Sequence, residues 1–386
     1  MRSHSDVVII GGGAIGSSIA YRLTSQGVSV TVIERDSIGN HASGFALGLL
    51  NPTNETGNIE SLNHQSYDMH REMLDRVQEE SGVDAQVLTM PHIELALEEI
   101  EIPALKAEKD RIEQFPGFKS TWLEPDEGHE LEPRITKDLY GGVLVEDVIM
   151  LDSYNYTLAT AQAAESHGAE FVNADASGIV YEKDRAVGVT LGGESIGCDA
   201  VVLALGPWSG TASSWLDIDV PIVPQKGEIV RVEGLNPPLE AHLHGFTLDS
   251  SCSVVQKADG LTWLAATKKD GTGFNVTPSA EARESLSLRG MRMIPELESH
   301  QLVLQTACMR PVTPDGDPIF GKVPGKEGMF IATGTGGKGI LLAPIVGRAI
   351  ADLVTTGETE IEIAQFGFER FLQDPTTTAN HQIMPS

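Results

Sequence analysis

Residues 7–16 read VVIIGGGAIG, and the fold is decided there. The run Val7, Val8, Ile9, Ile10 is too short for a buried helix and suits a strand covered on both faces. Gly11, Gly12 and Gly13 break it, after which Ile15, Ile19 and Leu23 recur at helical spacing. Val28, Val30 and Val32 then alternate with Ser29 and Thr31, predicting a second strand that closes on Glu34. Gly11, Gly13 and Gly16 stand in G-x-G-x-x-G spacing at the head of the helix, with the acid about 20 residues on. The first glycine permits a tight turn, the second lets backbone approach a pyrophosphate, and the third lets helix and strand close on each other. A pyrophosphate would rest where Ala14 and Ile15 open the helix, on free N–H groups and the positive end of the dipole. Glu34 would accept from ribose hydroxyls. A carboxylate in that place argues against the 2′-phosphate of NADP and leaves FAD and NAD both open.

Outward from this unit, Leu62, Met69, Met73, Leu74 and Val77 predict an amphipathic helix over 61–83, with Gly82 just past its last turn. Residues 86–145 read as short strands broken at Pro91, Pro103, Pro116, Pro125 and Pro133. A helix over 154–167 precedes Gly168, and residues 200–205 form another buried strand that runs into Gly206 and Pro207. Alternating short strands fill 220–305, with one helix at 281–293, and read as an antiparallel sheet. A buried strand at 329–332, a second glycine cluster at 334–339 and a helix to about Val354 return to the first pattern. The expected class is therefore α/β with an α+β second domain: a Rossmann-like cofactor domain built from discontinuous segments (1–85, 146–219 and 306–386), plus an antiparallel-sheet substrate domain (86–145 and 220–305).

Composition narrows the function. The 55 acidic residues against 27 basic ones give a net charge of −28, which repels nucleic acid and anionic membranes and suits a solvated surface or a saline habitat. No stretch supplies the roughly 18 uninterrupted apolar residues of a membrane span; the best, 340–354, contains Arg348 and Asp352. With no signal-type apolar run at the N-terminus, the sequence reads as cytoplasmic. Three scattered cysteines, Cys198, Cys252 and Cys308, make neither a disulfide framework nor a thiolate cage, so redox chemistry would need a bound cofactor. Among the histidines only the His242-x-His244 pair is suggestive, and it reads as structural; no metal is expected.

Five motifs in order resemble the FAD-dependent amine and amino-acid oxidoreductases of the D-amino-acid oxidase, glycine oxidase and sarcosine oxidase superfamily. They are the 7–16 fingerprint with Glu34 and Arg35; Ala42, Ser43 and Gly44 leading to Gly48, Leu49, Leu50, Asn51 and Pro52; and Ala204 to Trp208. The last two are Met309, Arg310, Pro311, Val312, Thr313 through Gly316, and 334–344. The resemblance implies that FAD is the cofactor. It places Ser43, Gly44 and the Gly48, Leu49 and Leu50 backbone at the pyrophosphate and flavin, Ala176 at the adenine, and Gly206 and Trp208 at the strand-end loop. The turn of Gly336, Gly337, Lys338, Gly339 and Ile340 would meet the pyrimidine end of the flavin, where a helix N-terminus stabilises the reduced ring.

The resemblance makes Arg310 the substrate anchor, since a guanidinium grips a carboxylate with two parallel hydrogen bonds and stays charged. Lys338 is the second catalytic candidate, against the alternative of a solvated loop lysine. Thr335, Gly337 and Ser253 depart from the glycine oxidase pattern and put glycine itself in doubt as substrate. Cys308 and His41 occupy positions that carry covalent flavin in some relatives; noncovalent FAD is the default. The expected reaction is hydride transfer from the C–N carbon of a small amino acid or secondary amine to flavin N5, giving an imine that hydrolyses, with oxygen as acceptor. The alternatives are a dehydrogenase feeding a quinone or partner protein, and a non-catalytic or NAD-binding Rossmann protein. A homo-oligomer is left open.

Overall fold

The computed structural model describes residues 2–372, except Glu55, Pro116 and Asp249. The expected break at Pro116 and the end of the 306–386 segment, from residue 373, lie outside the described residues. The chain forms two sheets with a cavity between them. The first has eight strands, in the order Ile319–Lys322, Met329–Thr333, Glu194–Leu203, His4–Ile10, Val30–Glu34 and Glu170–Asn173, with the pair Gly178–Glu182 and Arg185–Leu191 hanging from the third. From Met329–Thr333 to Glu170–Asn173 every pairing is parallel. Parallel strands need covering on both faces, and this explains the unbroken apolar run at Val7–Ile10, each residue at most 3% exposed. Helices Ala14–Thr24, Glu60–Ser81, Ser153–Ser166 and Gly339–Thr355 cover one face through Ile19, Leu23, Met73, Val77, Leu342 and Ile345. The βαβ unit and the mixed α/β class stand as expected.

The second sheet has nine strands, in the order Leu302–Val312, Val223–Val232, Thr262–Ala265, Ser250–Gln256, His242–Thr247, Leu88–Ala96, Gly141–Met150 and Leu49–Leu50, with Ser120–Leu123 on Gly141–Met150. It departs from the antiparallel expectation at one seam: His242–Thr247 runs parallel to Leu88–Ala96. Those strands are joined through the first sheet rather than by a hairpin, so no turn constrains them to run antiparallel. The expected boundaries at 145/146 and 305/306 fall inside strands Gly141–Met150 and Leu302–Val312.

Prolines and one glycine shape four of the helices. Pro103 and Pro125 begin helices Ile102–Ile112 and Pro125–Leu131 rather than breaking strands; proline fits the first turn, where its missing N–H has no intrahelical partner. Gly82 caps helix Glu60–Ser81 in the left-handed region, at φ 71°. Pro344 lies inside helix Gly339–Thr355 and cannot donate to the Ile340 carbonyl one turn back. His70 Nε2 takes that place, 3.0 Å from Ile340 O and 3.2 Å from Leu341 O, and Ser66 Oγ donates to Leu341 O at 2.6 Å. Burial lowers His70 to about 4, so the imidazole is neutral and Nε2 carries the proton it donates. No helix among the described residues is long and apolar enough to cross a membrane.

Candidate active site

The glycine turn after strand His4–Ile10 is shaped by contact. Gly11 has φ +114°, and a Cβ on it would lie 2.2 Å from Ala204 O. A Cβ on Gly16 would lie 1.9 Å from Gly11 O, so the third glycine lets helix Ala14–Thr24 sit directly on the turn. Ser43 Oγ accepts from Ala14 N at 3.0 Å at the head of that helix. The Glu34 carboxylate accepts from Gly12 N at 2.7 Å and Asp36 N at 2.9 Å, which fixes its position and leaves lone pairs for further donors.

This turn opens on a cavity of about 570 Å³. Gly11, Gly13, Ala14, Ile15, Glu34, Arg35, Ser43, Ala176, Gly206 and Trp208 line it from the first sheet and its loops, as do Gly336, Gly337, Gly339 and Ile340 at the head of helix Gly339–Thr355. The glycine-lined cavity, with the first residues of helices Ala14–Thr24 and Gly339–Thr355 and the Glu34 carboxylate on its walls, fits an extended dinucleotide. Six sequence candidates lie elsewhere. Gly16 is beneath the turn and Gly44 packs on Gly39 O. Leu50 is wholly buried, in a strand paired with Ile149. Gly48, Leu49 and Lys338 line a smaller adjoining cavity of about 190 Å³, which shares Gly337 and Ile340 with the main one.

Arg310 projects from the edge strand of the second sheet into the main cavity. Its guanidinium lies across Gly227, where a Cβ would come within 2.6 Å of it. A glycine inside strand Val223–Val232 was the available signal for this close approach. One bond, from Nη1 to Thr267 O at 2.8 Å, holds the group, and no carboxylate pairs with it among the described residues. Desolvation lowers its pKa, with Cys308 acting weakly in the other direction.

The two covalent candidates differ in setting. Cys308 lines the cavity opposite Gly227 in the sheet register, and burial pushes its thiol pKa up, which disfavours the nucleophilic thiolate. His41 Nε2 meets Asp36 Oδ2 at 2.7 Å, its ring edge-on to Trp208 at 4.6 Å. Trp208 also carries the Arg35 guanidinium at 4.2 Å and stacks on Phe274 at 5.5 Å, bringing a loop of the second sheet over the cavity.

His244, read as structural in the sequence, lines the cavity beside Ser251 and Ser253. Its Nδ1 lies 2.7 and 2.9 Å from the Glu94 carboxylate oxygens. Burial works to raise the Glu94 pKa, but the charge and hydrogen bond of His244, with help from His92, hold it well below the usual range. Behind this pair, His92 Nδ1 meets His242 Nδ1 at 2.6 Å, both rings buried. Nothing in the sequence tied residue 94 to residue 244, because the parallel seam that joins them had no local signature.

Comparison with known proteins agrees with this architecture. A family model described as FAD dependent oxidoreductase (DAO) matches residues 6–353. The glycine oxidase of Geobacillus kaustophilus (strain HTA426) is 29% identical over 384 residues, covering 96% of this chain and 98% of that protein. A crystal structure of glycine oxidase from Geobacillus kaustophilus superposes with a TM-score of 0.89 at 28% identity, over 95% of this chain and 98% of that one. L-proline dehydrogenase from P. horikoshii shares the fold, with a TM-score of 0.87 at 23% identity over 97% and 99% of the two chains.

Proposed function

From the premise that the chain belongs to the FAD dependent oxidoreductase family and is an FAD-dependent enzyme acting on CH–NH donors, we propose that its cavity oxidises the C–N bond of a small amino acid or secondary amine, with oxygen as electron acceptor. That membership sets aside the non-catalytic and NAD-binding alternatives. The observation that carries the finer reading is Arg310, a desolvated guanidinium on the cavity wall with one carbonyl partner and no carboxylate among the described residues. A substrate carboxylate completes it.

FAD, when bound, supplies the hydride acceptor for the substrate carbon. The chain does the rest. Gly11, Gly13, Ser43 and the N-terminus of helix Ala14–Thr24 hold the diphosphate, and Glu34 holds ribose hydroxyls. The N-terminus of helix Gly339–Thr355, at Gly339 and Ile340, stabilises negative charge at the cavity floor. Arg310 fixes the carboxylate in two hydrogen bonds and thereby orients the neighbouring C–H; such positioning accounts for much of the acceleration in reactions without covalent catalysis. Trp208 lines the cavity and is braced by its stack on Phe274. The high Cys308 pKa and the engaged ring of His41 support noncovalent FAD.

The test is oxygen uptake and peroxide formation by the purified yellow protein with glycine, sarcosine, proline and both enantiomers of the common amino acids. About one peroxide per substrate oxidised is expected. Turnover that needs an added dye and yields no peroxide would replace oxygen with a quinone or protein acceptor.

A further inference from the structure

The second sheet presents one continuous wall to the cavity. Ile229 stands opposite Ala265, Ala265 opposite Ser253, Ser253 opposite His244, and His244 opposite Glu94, so these side chains share a face. Arg310 lies over Gly227 at one end of that face and His244 at the other, with Ser251 and Ser253 between. Neither serine hydroxyl bonds to protein among the described residues. His244 gives its Nδ1 to Glu94, and its Nε2 has no protein partner among the described residues. Lys268 adds an exposed cation to the lining.

The charge of this wall runs against that of the chain. The protein carries 55 acidic residues, yet among the described residues the acids that line the cavity are Glu34 and Asp175, on the first sheet, and none comes from the second. A monocarboxylate such as glycine needs Arg310 alone. It leaves His244, Ser251, Ser253 and Lys268 without a purpose.

We propose that Ser251, Ser253 and His244, held by Glu94, form a second anion subsite, and that the substrate is an amino acid bearing a distal carboxylate on its side chain or nitrogen. The proposal rests on the reading of Arg310 as the carboxylate anchor. From Gly227 beneath the guanidinium, Ser251 lies two strand intervals across, about 10 Å, and His244 three across and two residues along, about 16 Å. Subtracting a charge-assisted hydrogen bond at each end leaves about 4 to 10 Å between the bound oxygens, a range that includes the reach of a side chain of two or three carbons ending in a carboxylate. Groups facing the His244 imidazole are Glu94 and His92 from the neighbouring strand and His242 from its own, with Arg310 and Lys268 on the same cavity. Glu94 acts as a positioning residue: its carboxylate fixes the ring by Nδ1, and in the imidazolium, where both ring nitrogens carry protons, Nε2 is the donor to the substrate.

The experiment uses the holoenzyme in two ways. Glutarate and butyrate, neither of which can react, are titrated in by the perturbation of the flavin spectrum, and both enantiomers of glutamate, glutamine and norvaline are compared by kcat/KM. Glutarate is expected to bind about 10- to 100-fold more tightly than butyrate, and glutamate to exceed norvaline and glutamine similarly. His244→Gln and, separately, Ser251→Ala with Ser253→Ala are expected to collapse both ratios toward one, and Glu94→Gln to lower them. Equal binding of glutarate and butyrate by the wild type, or ratios that survive in both sets of variants with full flavin content, would overturn the subsite; glutamine used as well as glutamate would overturn its anionic character. Turnover of monocarboxylic amino acids with no glutarate preference defeats this inference alone. A glutarate preference with no amine able to reduce the flavin defeats the functional reading and leaves the subsite.

Discussion

Replacing Arg310 with methionine should move binding and stability in different directions. In the protein alone the guanidinium is desolvated and holds one carbonyl, Thr267 O at 2.8 Å. Methionine keeps the apolar length and removes that desolvation cost, while losing one hydrogen bond of about 1 kcal/mol. The melting temperature should therefore stay within about 2 °C of the wild type or rise. Binding behaves otherwise. Removing one partner of a desolvated, doubly hydrogen-bonded charge pair costs about 2–5 kcal/mol, and a central 3 kcal/mol is a factor of about 150 in Kd. Arg310→Lys keeps a charge but loses the planar fork and should fall between, at about tenfold. The assay is butyrate titration of the holoenzyme by flavin absorbance, with thermal unfolding of the same samples and kcat/KM for an amino acid. A Kd within about threefold of the wild type in Arg310→Met would refute the anchor, whatever happened to stability.

Gly16→Ala places a Cβ 1.9 Å from Gly11 O, so helix Ala14–Thr24 must lift off the turn; FAD content after purification should fall severely and the melting temperature with it. Cys308→Ala should leave flavin release on acid precipitation unchanged, with colour in the supernatant for both proteins; colour in the wild-type pellet alone would establish a thioether. His70 gives a pH prediction. Its pKa is 6.5 unfolded and about 4 folded, so between these values the unfolded state binds more protons and stability rises with pH. At pH 7 both states are neutral and nothing is lost; from pH 6.5 down to 4 up to about 3 kcal/mol disappears. His70→Gln, which can still donate to Ile340 O, should flatten that part of the stability curve measured by urea unfolding, and an unchanged slope would contradict the assignment.

What the sequence disclosed follows from how locally each feature is encoded. The βαβ unit was legible because its strand, turn and helix are contiguous and each glycine answers a contact within the turn or its neighbour strand, as at Gly11 against Ala204. Arg310 was singled out by resemblance and lines the cavity; that no carboxylate pairs with it among the described residues could emerge only in three dimensions. Pro103 and Pro125 misled because proline marks a helix start as readily as a strand break, and the capping boxes of Glu98 with Glu101 and Glu124 with Glu127 were the overlooked signal. Leu50 lies off the main cavity because it is fully buried in the strand paired with Ile149, and Lys338 lines the adjoining cavity. His244 with Glu94 was hidden by 150 residues of separation across a parallel seam.

The most direct test of the account is anaerobic addition of amino acids to the purified protein while its flavin band near ~450 nm is followed, with the product then identified. An amino acid should bleach the band, admitting air should restore it, and the product should be the corresponding 2-oxo acid with ammonia or a free amine. A yellow protein whose band no amino acid or secondary amine bleaches would contradict it.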